Sequence, residues 1–352
     1  MRIGLVIYGS LDVVSGGYLY DRKLVAHLQA AGDTVDVIAL PWRNYARHLF
    51  DNGSRHLLNQ MGEAAFDILL QDELNHPSLA WINRLVKRRS ATPIVSIVHH
   101  LRVSEQHPAW QQAVYRPIER RYLSTIDAFI FNSNTTQQAV TDLQPDSAQK
   151  PSVVAFPAGD RFGRMPATHK APSGPLRIVF VGNVIARKGL DTLLDAVQLL
   201  PENAWQLDVV GALDVDKHYV ESIRPKLTHP GITVHGQVSD NQLAEILNSA
   251  DVLVVPSQYE GFGIVYLEAM AFGCVAIGST AGAATEIITD GVDGFLVPPE
   301  EPEQIANRLL MLLEDVQKLQ SMQTAARRRF EQHPTWDATG ASIRQFLLNL
   351  VG

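Results

Sequence analysis

The chain begins the same way twice. Residues 3–8, Ile-Gly-Leu-Val-Ile-Tyr, form an apolar run that reads as a buried parallel strand. A polar loop carrying Gly9, Gly16 and Gly17 follows, then an apolar stripe at helical spacing through Tyr20, Leu24, Val25 and Leu28. Gly32 closes that helix, and residues 35–40 make the next strand. The same grammar restarts at residues 176–181, Leu-Arg-Ile-Val-Phe-Val, with a glycine-bounded loop at 182–189 and a helix over 190–200. Between the two beginnings, Pro166, Pro172, Gly174 and Pro175 lie in a stretch without apolar periodicity, which reads as a linker. Two β-α-β openings on either side of a linker confine the chain to two α/β domains, each built on a parallel sheet.

Further strands are expected at residues 66–70, 93–98, 128–131 and 153–156 in the first half, and at 205–210, 232–236, 252–255, 275–278 and 291–297 in the second. The layout is therefore a Rossmann-like domain over 1–165, a linker over 166–175, a second Rossmann-like domain over 176–335 and a final helix over 336–352. The two halves would face each other across a cleft. Open sheets of this kind bind ligands outside the carboxyl ends of their strands. His99 and His100 stand at such an end, after the strand at 93–98. No Cys, His or Asp at zinc spacing follows them, so a metal is not expected there. Gly9, Gly16 and Gly17 do not make G-x-G-x-x-G, which disfavours a dinucleotide.

The chain's 352 residues and 46% apolar content suffice for about two packed cores. A net charge of −7 argues against nucleic acid as a partner, while phosphorylated small ligands need only local positive charge. The single Cys274 excludes an intramolecular disulfide and suits a reducing cytoplasm. Residues 1–8 are too short for a leader, and no run approaches the ~20 apolar residues of a membrane span. Residues 41–61 carry Trp42, Tyr45, Leu49 and Phe50 at helical spacing, with Arg43, Arg47 and Arg55 between them. Such a segment suits a core-facing helix with solvated arginines, with a peripheral contact with a membrane surface as the lesser alternative.

Residues 256–271 concentrate the chemistry. The run Val252-Leu253-Val254-Val255 ends at Pro256, and Glu260-Gly261-Phe262-Gly263 then leads into a helix. Strand, glycine loop and helix start together make an anion site, because backbone N–H groups converge there at the positive end of the dipole. Glu260 precedes the helix, and Glu268 lies over a turn inside it, roughly 7 Å further along at about 1.5 Å per residue. An ionised carboxylate only accepts hydrogen bonds, so this pair suits hydroxyl-bearing ligands, unless both glutamates are solvated surface residues.

This stretch resembles the Glu-x7-Glu motif of retaining GT-B glycosyltransferases of the family four type, and the likeness covers almost the whole chain. The resemblance implies that Glu268 binds the ribose of a nucleoside diphosphate sugar and that Glu260 lies near the transferred sugar. The amides of Gly261, Phe262 and Gly263 would meet the diphosphate. In the loop Gly182-Asn183-Val184-Ile185-Ala186-Arg187-Lys188-Gly189, the family has a Gly-Arg pair, then four intervening residues, then Lys-Gly. Lys188 keeps its place in the diphosphate clamp, Asn183 replaces the arginine, and Arg187 is the neighbouring cation. The turn at Val238 would hold the base, Gly16 and Gly17 would leave room for phosphate or sugar, and His99 would be the pocket histidine. Lys188, Glu260 and His99 are thus the expected catalytic residues.

The expected reaction is metal-independent and uses no cofactor beyond the sugar nucleotide. Its acceptor would be a sugar, a lipid-linked group or a small molecule, bound by the first domain. Asp214-Val215-Asp216 has the form of a metal motif of a different glycosyltransferase fold, but no supporting pattern surrounds it. Another GT-B activity (a phosphorylase or sugar-nucleotide epimerase) and a non-catalytic sugar-nucleotide binder remain as alternatives.

Overall fold

The computed structural model describes residues 1–62, 64–163 and 174–352. Most of the linker expected at 166–175, and the boundary at 165, lie outside the described residues. The chain forms two compact units. One comprises Met1–Pro157 with Pro334–Gly352, and the other is Ala158–His333.

The sheet of the first unit contains β1 (Arg2–Tyr8), β2 (Thr34–Leu40), β3 (Ile68–Asp72), β4 (Ile94–Val98), β5 (Ala128–Phe131) and β6 (Ser152–Val154). Every pairing is parallel, in the order β2-β1-β3-β4-β5-β6. Ile3 stands opposite Val35 on one side and Ile68 on the other. After β2 the chain returns to the far side of β1, so the switch point lies between β1 and β3. Helices cover both faces, which is why β3, β4 and β5 are buried along their whole length.

The second unit repeats the plan with β7 (Leu176–Val181), β8 (Trp205–Val210), β9 (Ile232–Gly236), β10 (Val252–Val255), β11 (Val275–Ser279) and β12 (Gly294–Val297). Their order is β12-β11-β10-β7-β8-β9, again all parallel. Here the switch point falls between β7 and β10. The loops that leave it are those carrying Lys188 and Glu260.

The Trp336–Val351 helix packs on the Gly16–Ala30 helix of the first unit. Trp336 meets the ring of Tyr20 edge-on at 5.7 Å. Thr339 Oγ1 donates to the carbonyl of Phe156 at 2.7 Å, and Arg344 Nε to Asp33 at 2.7 Å. Gly340 is required where the helices touch, since a Cβ there would lie 2.4 Å from the ring of His27.

Several local expectations change. Residues 41–61 are not one amphipathic helix but three short pieces, Tyr45–His48, a 3-10 turn at Leu49–Gly53, and Arg55–Gly62. Asn44 caps the first piece, and Gly53 with Ser54 interrupts the run before the third. Leu57, Leu58 and Met61 are buried, whereas Trp42 and Phe50 are exposed, so no single apolar stripe forms. Phe66 precedes β3, because the chain pairs with β1 only from Ile68 onward. Lys217–Ile223 is a helix that apolar periodicity did not mark, and Asp216 caps it by accepting from Tyr219 N at 3.1 Å. The second carboxylate of the D-x-D therefore has a structural job.

Candidate active site

The loop after β7 and the loop after β10 meet at the second switch point. Lys188 Nζ reaches Glu260 Oε2 at 2.5 Å, and Ser257 Oγ donates to the same oxygen at 3.1 Å. Glu260 and Glu268 are both buried, which removes their reading as solvated surface residues. Burial alone would raise the Glu260 carboxyl, but Lys188 and then Arg187 hold it below its ordinary value. Lys188 is lowered as well, for a different reason. Burial lowers its ammonium more than Glu260 raises it, and Arg187 lowers it further.

Two glycines make this approach feasible. Gly189, at φ +68°, ends the lysine loop, and a Cβ there would stand 2.4 Å from the carbonyl of Pro256. Gly263, at φ +95°, opens the Ile264–Ala271 helix, and a Cβ there would stand 2.4 Å from the ring of Tyr266. Phe262 is buried beside His333, so its side chain is committed to packing. A Cβ on Gly182 would stand 3.7 Å from the aliphatic stem of Lys188. Asn183 makes no side-chain hydrogen bond among the described residues. Arg187 donates to the carbonyl of Tyr259 at 2.9 Å, which ties it to the same loop pair. Val238 is half-buried in the turn between β9 and Ser239, the residue that caps the Asp240–Ser249 helix.

Arg161 was not among the expected site residues. It comes from the 3-10 turn Asp160–Phe162, and its Nη2 donates to Glu268 Oε2 at 3.0 Å. Its Nε lies 2.6 Å from Oε1, an ion-pair distance without the alignment of a hydrogen bond. Nη1 also reaches Asp240 at 3.1 Å. Gly159 lets that turn lie against the helix, because a Cβ there would be 2.7 Å from Leu267 Cβ. The turn at 157–162 resembles the family's turn into the linker, but spacing along the chain gives Arg161 no sign of this partner.

In the first unit, His99 stands at the carboxyl tip of β4. Its Nε2 lies 3.2 Å from Oδ1 of Asp21, and its main-chain carbonyl accepts from Asn132 Nδ2 at 2.7 Å. Gly16 begins the Gly16–Ala30 helix, which Ser15 caps by accepting from Tyr18 N. The space left by Gly17 is filled by the ring of His99, 3.1 Å from an ideal Cβ. Residue spacing along the chain gave His99 no acidic partner, yet Asp21 and Asp72 both reach it. Ligand-type atoms of Asp21, Asp72 and His99 lie within 4.8 Å of one another, as do those of Glu73, His76 and Glu119. Both clusters have a direct account as imidazole–carboxylate contacts, with His76 Nδ1 3.0 Å from Glu73 and His99 as above. His100 pairs with Glu105 at 3.0 Å. Arg102 lies over the rings of Tyr45 and Tyr115, while its main-chain N–H donates to Glu119 at 2.7 Å.

Comparison with known proteins agrees with this architecture. The family model "Glycosyl transferases group 1" matches residues 163–329, and "Glycosyl transferase 4-like domain" matches residues 27–159. A phosphatidyl-myo-inositol mannosyltransferase of Mycolicibacterium smegmatis is 27% identical over 369 residues, covering 97% of this chain and 92% of the relative. A D-inositol 3-phosphate glycosyltransferase of Jonesia denitrificans is 31% identical over 182 residues, which is 49% of this chain and 42% of that one. Among solved structures, sucrose-phosphate synthase from Thermosynechococcus elongatus superposes with a TM-score of 0.81 at 21% identity, covering 99% of this chain and 98% of that one. Anabaena HepE in complex with UDP and glucose superposes at 0.79 and 18%, covering 99% and 100%. At such identities the structural likeness speaks for the fold, and the family models speak for descent. With two parallel sheets, a returning last helix and matches along nearly its whole length, the chain belongs to the group 1 glycosyltransferases and has the GT-B fold.

Proposed function

We propose that the protein transfers a sugar from a nucleoside diphosphate sugar to an acceptor hydroxyl with retention of anomeric configuration and without a metal ion. The observation that carries this reading is the Lys188–Glu260 contact at the β7/β10 switch point, with Glu268 buried on the helix that starts beside it. A point charge and a helix start suit a leaving diphosphate, and the buried carboxylates suit hydroxyls. The names of relatives agree: HepE is described in complex with UDP-glucose, and whole-length relatives are named mannosyltransferases acting on phosphatidyl-myo-inositol.

In this mechanism the protein supplies position and charge rather than covalent chemistry. Lys188 and the amides of Gly261 to Gly263 hold the diphosphate as negative charge grows on it. Glu260 and His99 orient the sugar, Glu268 takes the ribose hydroxyls, and the departing phosphate accepts the acceptor's proton on the same face. Asn183 leaves this clamp with one charged group fewer than the family pattern. The acceptor is a sugar, lipid-linked group or small molecule, and the enzyme works in the cytoplasm or at its membrane boundary.

The test is a panel of nucleotide sugars offered with and without sugar and lipid-linked acceptors, with nucleoside diphosphate release and product anomeric configuration followed by NMR. Release that depends on acceptor, an axial or equatorial linkage matching the donor, and full rate in chelator are expected. Inverted product or activity restored only by a divalent ion would refute the corresponding part. Turnover of the sugar nucleotide without acceptor would favour an epimerase.

A further inference from the structure

The acidic partner of His99 carries an inference of its own, resting on the reading that His99 faces the sugar. His99 is held from three positions, 17, 20 and 21, in one helix's opening turns. The ring packs over Gly17, Tyr20 meets it edge-on at 5.2 Å, and Asp21 Oδ1 lies 3.2 Å from Nε2. Its main chain is pinned separately by Asn132. With Nε2 engaged, Nδ1 is the remaining polar atom, and it has no hydrogen-bond partner among the described residues. The imidazole is half-buried at the strand tip beside the β1/β3 switch point, where ligands of open sheets gather.

Asp21 is an unusual residue to find here. It is fully buried, and its second oxygen, Oδ2, has no hydrogen-bond partner among the described residues. A buried carboxylate in a helix, with one oxygen unsatisfied, is destabilising unless its other contact is needed. We propose that Asp21 is a positioning residue, which accepts the Nε2–H of His99 and so turns Nδ1 toward the sugar substrate as the hydrogen-bonding atom.

The surrounding charges favour this arrangement. Burial would lower the pKa of His99, but the hydrogen bond to Asp21, the charges of Asp21 and Asp72, and then that of Glu73 raise it above the ordinary histidine value. Asp21 faces the ring from the Gly16–Ala30 helix, and Asp72 and Glu73 face it from the end of β3. Asp72 is itself pushed up to about 6 by burial and by Asp21, and it also feels His76. Glu73 feels Arg102 as well as His99. In the charged ring Nδ1 carries a proton and donates to a sugar oxygen. Above the His99 midpoint it can only accept.

The experiment combines histidine-labelled 15N NMR with kinetics. In the wild-type protein the neutral form of His99 should keep its proton on Nε2, with Nδ1 as the titrating nitrogen. The opposite tautomer overturns the proposal and needs no variant to detect. Asp21→Asn is nearly isosteric; it should lower the His99 midpoint and cut kcat at least about tenfold with little change in donor KM. The fall of kcat/KM with rising pH should move to lower pH in this variant. Asp21→Asn added to His99→Ala should cost nothing further, because the two act as a unit. Additive losses, or an unmoved His99 midpoint in Asp21→Asn, overturn the proposal. So does a stoichiometric metal found by elemental analysis with its Nε2 resonance shifted, because a nitrogen bound to metal cannot donate to Asp21. The NMR arm requires no turnover, so it tests Asp21 even where the assigned sugar transfer fails. Full turnover by His99→Ala removes the substrate-facing role of Nδ1 and leaves the roles of Lys188 and Glu260 untouched.

Discussion

Lys188 Nζ lies 2.5 Å from Glu260 Oε2, although the two residues are 72 positions apart. Residues read as a phosphate cation and a sugar carboxylate are thus one electrostatic unit. Lys188→Ala should lower kcat/KM by roughly a hundred- to a thousandfold, the scale of losing one preorganised donor. It should also lower the melting temperature, because Glu260 is left buried without its cation. Adding Glu260→Gln to Lys188→Ala should recover much of that stability while activity stays low. Thermal melts of the three variants check this; independent effects on stability would show that the pair is not coupled.

Glu268 is gripped by Arg161. Glu268→Gln should weaken binding of the free nucleoside diphosphate, and Arg161→Ala should do the same by loosening the carboxylate. Each loss should be about 1–2 kcal/mol, on the scale of charged hydrogen bonds. Glu260→Gln should leave this affinity nearly intact and lower turnover instead. Calorimetric titration with the diphosphate decides the matter, and equal losses at Glu260 and Glu268 would end the division of labour.

Asn183→Arg should tighten diphosphate binding by ~1 kcal/mol, a charge-assisted hydrogen bond replacing a neutral one. Turnover need not rise, since ground and transition states can gain equally. Arg187 and Arg102 are the cations able in principle to stand in, but one is bonded to Tyr259 and the other lies over two tyrosine rings. Unchanged affinity in Asn183→Arg, with affinity lost in Arg187→Ala or Arg102→Ala, would show a clamp rebuilt from those residues.

Burial, and then the charge of Asp72, push Glu73 up to about 8, and burial with the charge of Glu73 pushes Glu119 up to about 8. Their folded values exceed the unfolded carboxylate value near 4.5, so their contribution to stability is full below that value and is lost as pH rises through about 8. Melting temperature should therefore decline from about pH 5 toward pH 9. Glu73→Gln, which binds no proton in either state, should flatten that decline. An identical slope in both proteins would count against this contribution of Glu73.

Features that depend on local order could be read from the chain. Strands such as Ile94–Val98 and Val252–Val255 are short apolar runs closed by polar or proline residues, and the glycine loops stand directly after them. Glu260, Glu268 and Lys188 stand out as candidates in the sequence because each lies at a fixed offset from such a loop. Asp21, Asp72 and Arg161 were missed because their partners come from other strands and turns. Asp21 meets His99 only once β1, β3 and β4 are ordered side by side, and nothing at position 21 announces that. The broken helix at Tyr45–His48 and Arg55–Gly62 was missed for another reason. Apolar residues at helical spacing outvoted Asn44, Gly53 and Ser54, whose capping and turn preferences govern the backbone there.

The helix Trp336–Val351 has a consequence for the order in which the protein is made. It seals the face of the Gly16–Ala30 helix, so the first unit is assembled from both ends of the chain. At about 5–20 residues per second, a ribosome takes roughly ten to forty seconds between delivering residue 157 and residue 336. Throughout that interval Tyr20, His27 and Asp33 lack their contacts to Trp336, Gly340 and Arg344, while the second unit, continuous in sequence, has everything it needs to fold. The unit that emerges second is therefore free to finish first, and the unit that emerges first stays open until the last helix has emerged.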